Sequence, residues 1–406
     1  MPDPGQRVAV TGLGTVSCIG IGIDAFTEGV QAGRIGASEI TSFDTTGFPH
    51  TMACEIRDFD PATVLRHVRP DRWGPSAVFA ASAARLAVQD ADLDPDLLSR
   101  SRAGSIIGTT GGEMPIIQRL TGQWLADGWK SIEPDLVRQV PASQIAAAVN
   151  HELRITGDAQ TVPTACSASN FALGYAFDLL ISGEADFMIA GGADTVNRST
   201  HAGFLQLGAL AAEVCRPFDV NRTGILTGEG GVALLLEPYD QAEARGARIY
   251  AELLGYGANC DANHMVNPDA DSIAACIRLA QQCAGVTPDQ IDYICAHGTG
   301  TPTNDLTEVA AIRQVFGTRL PPISSVKSMI GHTMGAASGF GAAACCRALR
   351  DGFLPPTATV QQLDPALGPG VDCVPGRARR ADLHVVQNHG FAFGGNNAIT
   401  IFGRAS

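Results

Sequence analysis

A cysteine, two histidines and a lysine stand at the ends of apolar runs in this chain, each flanked by small residues. Cys166 lies in Thr161-Val-Pro-Thr-Ala-Cys-Ser-Ala-Ser-Asn170, between an extended proline-containing segment and a helix of about 14 residues. A thiol at such a turn faces the positive end of the helix dipole and the unpaired N–H groups of the first turn. Both favour thiolate and predict a lowered pKa. Nucleophile is one reading of Cys166, and buried structural thiol is the other. His297, in Cys295-Ala-His-Gly-Thr-Gly-Thr301, is delivered by an apolar strand to a loop where Thr299 and Thr301 offer hydroxyls to an extended polar ligand. His332 closes Lys327-Ser-Met-Ile-Gly-His332, ahead of a segment so rich in Ala and Gly that its neighbours must approach closely. One histidine is more often structural, but two at strand-to-loop junctions beside glycine point to chemistry. Metal binding is the rival use, and Asp or Cys ligands at matching spacing are absent, so no metal is expected. Asn388-His-Gly-Phe391-Ala-Phe393-Gly-Gly-Asn-Asn397 reads as a glycine-rich turn between two strands. Its N–H groups suit an oxyanion hole, with Phe391 and Phe393 as the wall or gate of an apolar pocket. An ordinary β-hairpin is the alternative.

The basic residues carry a further signal. Only Lys130 and Lys327 are lysine, and the other 26 are arginine. A lysine that persists against such a bias is one that needs a compact ammonium rather than a guanidinium fork.

The elements that must position these groups alternate apolar strand-like runs with amphipathic or alanine-rich helical runs, which predicts an α/β protein. Strands are expected at Arg7–Thr11, Ala103–Ile107, Phe187–Ala190, Gly231–Leu236, Ile249–Leu254, Tyr293–Ala296, His384–Asn388 and Ala398–Phe402. Helices are expected at Ser76–Gln89, Ser143–His151, Ser169–Ser182, Ser272–Gly285, Asp305–Phe316 and Met334–Arg350. Three segments of the first half echo three of the second: Val8–Gly14 with Glu252–Gly257, Ser105–Gly111 with Ile294–Gly300, and Gly230–Leu236 with Asn397–Phe402. An internal duplication fits, with units at residues 1–245 and 246–406 joined near Pro238–Arg248. Gly12-x-Gly14 after a strand invites a dinucleotide-binding reading, but Ser17 stands where the third glycine belongs.

Composition narrows the class. The 406 residues carry a formal charge of −13 and only 17% charged side chains, which argues for a large core and against a nucleic-acid partner. No apolar stretch is long enough to span a bilayer, and Met1-Pro2-Asp3-Pro4-Gly5 lacks the layout of a secretion signal. Eleven cysteines without CxxC spacing, most in apolar runs, suit a reducing compartment, so a cytoplasmic location is expected.

Taken together these segments resemble the β-ketoacyl-acyl-carrier-protein synthases of the thiolase-like superfamily, from Arg7 to Gly403. The matching motifs are Thr164-Ala-Cys-Ser, Ala190-Gly-Gly-Ala-Asp194, Arg216-Pro-Phe-Asp219, His297-Gly-Thr-Gly-Thr301 with Asp305 and Glu308, Lys327-Ser-x-x-Gly-His332, and Gly390-Phe-x-Phe-Gly-Gly395. Cys–His–His plus lysine resembles the elongating branch. The initiating branch has Cys–His–Asn, thiolases have a second cysteine that His389–Gly395 lacks, and chain-length factors have lost the cysteine that Cys166 retains. The resemblance implies a five-layered α/β/α/β/α fold of two duplicated halves and a decarboxylative Claisen condensation. Cys166 would carry the acyl group, with the N–H groups of Cys166 and Phe393 as oxyanion hole and Phe391 beside them. His297 and His332 would stabilise the malonyl-derived enolate, Lys327 would assist His332, Glu308 would fix Lys327, and Asp305 would support the site. Thr299 and Thr301 would bind phosphopantetheine of the carrier, and no dissociable cofactor is implied.

Where relatives have Thr-Ser-Gly after the cysteine, this chain has Ser167-Ala168-Ser169-Asn170, and Asn396 replaces a common threonine. Both changes bear on the acyl pocket. The implied partners are an acyl carrier protein and a second ketosynthase-like chain, identical or cysteine-less; Arg66, Arg69 and Arg72 read either as the carrier's dock or as a solvated helix end. The arginine bias resembles that of high-GC bacteria, where such proteins serve type II polyketide assembly. Housekeeping fatty-acid elongation is the alternative, and a non-catalytic length-setting subunit the next.

Overall fold

The computed structural model describes residues 7–405, and the segment read for a secretion signal, Met1 to Gly5, lies outside them. Ten of its strands form two sets of five. The first set is β1 (Val8–Ser17), β2 (Ala103–Gly108), β3 (Ala159–Val162), β4 (Phe187–Asp194) and β5 (Gly230–Pro238). The second is β6 (Ala251–Cys260), β7 (Tyr293–Cys295), β8 (Ile323–Ser324), β9 (Val385–Phe391) and β10 (Asn396–Gly403). Their hydrogen-bonded orders are β3-β2-β4-β5-β1 and β8-β7-β9-β10-β6. Counted within its own set, each order reads third, second, fourth, fifth, first. The pairing senses repeat as well: third with second and second with fourth are parallel, and the remaining pairs antiparallel. β1 then pairs with β6, Val8 opposite Leu253, so the two sheets join edge to edge. Each of the three sequence echoes falls on topologically equivalent strands: β1 and β6, β2 and β7 with the loops after them, β5 and β10.

Helices fill three further layers. α1 (Pro75–Asp90) and α2 (Gln144–Leu153) cover the outer face of the first sheet. α3 (Ala168–Ile181) lies inside, against strands of both sheets. α4 (Ala270–Cys283) and α5 (Pro302–Phe316) cover the outer face of the second sheet, and α6 (Ala337–Asp351) runs beside α3 in the centre. The result is an α/β/α/β/α arrangement of two duplicated halves, as the resemblance implied.

A helix buried on all sides must be apolar or small all round. α6, Ala-Ser-Gly-Phe-Gly-Ala-Ala-Ala-Cys-Cys-Arg-Ala-Leu-Arg-Asp, meets that demand and exposes little beyond its last turn. A Cβ at Gly341 would overlap Asn388 Oδ1 of β9. The same reasoning disposes of Gly12-x-Gly14, where a Cβ at either glycine would strike the main-chain oxygens of Ala87 or Ala83 in α1. These glycines serve close strand–helix packing and cradle no phosphate.

The expected strands and helices are present, with ends shifted by a few residues. Sequence periodicity did not reveal β3, a polar and half-exposed edge strand, or β8, which is two residues long. It also passed over the helices Ile23–Ala32, Met114–Asp127 and Arg198–Gln206. Eight cysteines are buried, Cys260 and Cys283 are exposed, Cys18 is between, and all are free thiols. Among the described residues no helix is long and apolar enough to cross a membrane.

Candidate active site

The loops leaving the C-terminal ends of β3, β7, β8 and β9 converge, which is where ligands bind in parallel sheets. They deliver Cys166, His297, Lys327 with His332, and Phe391 with Phe393. A cavity of about 240 Å³ is lined by Cys166, His297, His332, Phe391 and Phe393, with Thr299 and Thr301 on its wall.

A sharp turn places the cysteine. Ala165 sits at φ +51°, a left-handed conformation that redirects the chain from β3 into α3. Met334 adopts the same φ of +51° at the start of α6. The two turns are bonded across the central layer: Ser169 Oγ donates to the Gly335 oxygen at 2.6 Å, and the Asn170 N–H donates to Ser338 Oγ at 3.1 Å. Gly335 thus occupies in the second half the place that Cys166 holds in the first.

The expected lowering of the Cys166 pKa is overturned. Burial pushes the thiol up to about 12, and the Asp194 carboxylate adds to the rise. Lys327 and the N–H groups of Cys166 and Phe393, which face the sulfur, pull the other way without prevailing. The resting group is therefore a thiol. The same two N–H groups, one from the Cys166 turn and one from the turn after β9, converge on the sulfur.

His297 and His332 meet in a T-shaped contact, ring centroids 5.7 Å apart at 81°. Both are fully enclosed, and burial first, then the Lys327 charge, holds both pKa values well below the usual 6.5. Both rings are neutral at physiological pH. The Met334 N–H donates to His332 Nδ1 at 3.0 Å, which puts the ring proton on Nε2.

Lys327 is buried and donates to the His297 main-chain oxygen at 2.6 Å. Glu308 was expected to fix this lysine, but among the described residues no carboxylate lies within 4.0 Å of its ammonium. Glu308 instead accepts the N–H groups of His297 and Gly298, each at 2.8 Å, and meets His389 Nδ1 at 2.9 Å. Its carboxylate acts on Lys327 through space. Asp305 accepts the N–H groups of Phe218, Thr299 and Gly300, so it shapes the threonine loop, whose hydroxyls lie 2.8 Å apart. Lys130, by contrast, is exposed beside Trp129.

Arg66, Arg69 and Arg72 lie on the segment leading into α1, and none lines the cavity. Asp71 pairs with Arg69 at 3.1 Å and Arg72 at 3.8 Å, which reduces the free positive charge there.

Comparison with known proteins follows the same outline. Residues 5–242 match the family described as "Beta-ketoacyl synthase, N-terminal domain", and residues 250–361 match its C-terminal domain. The chain belongs to the β-ketoacyl synthase family. It is 34% identical to 3-oxoacyl-[acyl-carrier-protein] synthase 2 of Coxiella burnetii over 98% of this chain and 99% of that one. Among solved structures it is similar to the ishigamide ketosynthase/chain length factor, at 48% identity and TM-score 0.97, covering 99% of this chain and 100% of that chain. It is also similar to a ketosynthase bound to the hexaketide in complex with its type II PKS acyl-carrier protein, at 30% identity and TM-score 0.89, with both chains covered in full. The protein is a ketosynthase and an acyltransferase.

Three features of the synthase site escaped the sequence reading. Phe204, on the helix Arg198–Gln206, lines the cavity and stacks on Phe393 with centroids 5.6 Å apart. Asp194 accepts from Thr109 Oγ1 and from the N–H groups of Thr110, Gly111 and Gly335, tying β4 to the turn before α6. His389 is the third. The last two lie inside quoted motifs, but their partners are remote in sequence.

Proposed function

We propose that this ketosynthase elongates an acyl chain by decarboxylative Claisen condensation with malonyl-carrier. One observation carries the reading: a thiol facing two main-chain N–H groups shares a cavity with two neutral imidazoles and no second cysteine. Cys166 Sγ attacks the acyl thioester, the old C–S bond breaks, and the thiol proton leaves with the carrier thiol. The N–H groups of Cys166 and Phe393 hold the oxyanion of that step. The malonyl C–CO₂ bond then breaks, and His332, through Nε2–H, and His297 donate to the enolate oxygen. The enolate carbon attacks the acyl carbonyl and expels the Cys166 sulfur, which takes up one proton from solvent. Lys327 holds the imidazoles neutral and in place, Glu308 and Asp305 fix the loop after β7, and Phe391 walls the pocket.

Thr299 and Thr301 line the approach and suit the amides of a phosphopantetheine arm. Arg66, Arg69 and Arg72 are the proposed contact for an acidic carrier protein. The proposed setting is bacterial type II polyketide assembly in the cytoplasm, as a heterodimer with a cysteine-less chain of the same fold. The 48% identity to a ketosynthase/chain length factor supports that setting. Fatty-acid elongation by a homodimer is the second reading, favoured by the resemblance to the Coxiella synthase.

Intact mass spectrometry of co-purified protein, incubated with acyl-carrier and then malonyl-carrier, tests the proposal. Acyl mass on Cys166, CO₂ release and a chain two carbons longer are expected. Condensation without CO₂ loss would identify a thiolase-like transferase instead, and absence of acylation with a partner present would identify a length-setting subunit.

A further inference from the structure

Glu308 carries the loop that presents His297, and it needs a donor of its own. Its two oxygens each accept one N–H of that loop, and Lys327, the cation expected to pair with it, is committed to the His297 oxygen. A buried carboxylate is stable as an anion only when its remaining lone pairs are satisfied. The donor that the fold supplies is the imidazole of His389, in β9. Its Nδ1 lies 2.9 Å from Glu308 Oε1, and both side chains are fully enclosed. On the far side its Nε2 lies 2.5 Å from the amide of Gln387, whose oxygen is met by Gln281 Nε2 at 3.2 Å.

The ring also touches the cavity wall from behind. Phe391 sits between the two histidines, 5.2 Å from His389 and 5.6 Å from His297. His389 therefore borders both supports of His297, the carboxylate under its main chain and the aromatic ring beside its imidazole.

We propose that His389 is a positioning residue for the decarboxylation step: its Nδ1–H holds Glu308, and Glu308 holds the His297 main chain at the angle its imidazole needs. It does not touch substrate. The inference rests on the condensation reading above, in which Cys166 acylation does not require His297 and decarboxylation does.

Geometry dictates the variants. The side-chain nitrogen of asparagine falls where Nδ1 of histidine stands, whereas that of glutamine falls near Nε2. His389→Asn keeps the donor to Glu308, and His389→Gln and His389→Phe lose it. The two half-reactions are measured separately on the co-purified complex, as Cys166 acylation by mass and CO₂ release from malonyl-carrier. His389→Gln and His389→Phe are expected to slow CO₂ release by about ten- to a hundredfold, since a hydrogen bond to a buried charge is lost. Acylation stays within about twofold, and His389→Asn recovers most of the loss. Equal rates for the Asn and Gln variants overturn the proposal, as does a parallel fall in both half-reactions; the Asn–Gln pair decides the matter if His389→Phe does not fold. A wild-type protein that is acylated yet releases no CO₂ overturns the condensation reading itself, a result separable from any effect of His389.

Discussion

The Lys327 ammonium donates a 2.6 Å hydrogen bond to the main-chain oxygen of His297, with no ion-pair partner among the described carboxylates. One short bond thus fixes the loop that presents the imidazole, while the unpaired charge acts on everything around it. That charge lowers the pKa of His297, His332 and Cys166 together. Burial lowers the pKa of Lys327 itself, and the charge of Glu308 offsets part of that.

Lys327→Met removes both bond and charge, so CO₂ release from malonyl-carrier falls by at least about tenfold. Lys327→Arg restores the charge but not the fit of a compact ammonium. It is expected to recover the reactivity of Cys166 toward iodoacetamide and not the decarboxylation rate. Equal recovery of both would show that charge alone matters.

With the Cys166 thiol pushed up to about 12, alkylation follows the small thiolate fraction. Its rate should climb about tenfold per pH unit from about pH 7 to 9 without levelling, and Lys327→Met should lower it at every pH. A plateau below about pH 8 would mean that the helix terminus outweighs burial after all.

That error is instructive about what a sequence displays. The turn at Cys166 and the loops at His297 and His332 were legible because apolar runs deliver them and glycines follow. Lys327 was legible because arginine replaces lysine nearly everywhere else. The sign of the Cys166 shift was not, because it depends on burial in a cavity walled by Phe391 and Phe393 and on the Asp194 charge, all supplied by other elements. Nor was the pairing of Glu308 with His389, 81 residues apart. The duplication was visible in three short echoes, but the pairing of β1 with β6 required the backbone itself.

Two sets of buried groups bend the stability profile in opposite directions. Folding holds His297 and His332 below their ordinary pKa of 6.5, so the unfolded chain binds protons that the folded one refuses. Stability is present above that value and is lost as pH falls below it. Burial raises Glu113 and Glu229 to about 7, and Asp194 and Asp305 to about 6. For these the folded chain keeps protons that the unfolded one, with ordinary values of 3.8 and 4.5, releases, so stability is lost as pH rises from there through 6 to 7. The melting temperature should therefore fall from about pH 5 to about pH 7, where four carboxyls outweigh two imidazoles, and level off toward pH 8. Scanning fluorimetry across pH 5 to 9 checks this, and a maximum at pH 8 or above would contradict it.

The close approach of α6 to β9 gives the last prediction, because it links packing to the nucleophile. Gly341→Ala drives a Cβ into Asn388 Oδ1. Asn388 Nδ2 donates to Asn170 Oδ1 at 2.8 Å and to the Ser338 oxygen at 2.9 Å, so the shift reaches the first turns of both central helices. Overpacking of this kind costs about 1–3 kcal/mol. The melting temperature should drop, and the alkylation rate of Cys166 should change with it. Gly122→Ala is the control: it lies inside the helix Met114–Asp127, where a Cβ meets nothing within 4 Å. That substitution should raise stability by about 0.4–1 kcal/mol and leave Cys166 untouched. If Gly341→Ala melts like the wild type, the central helices are not packed at the distance that β9 requires, and the hold of Asn388 on the Cys166 turn fails with it.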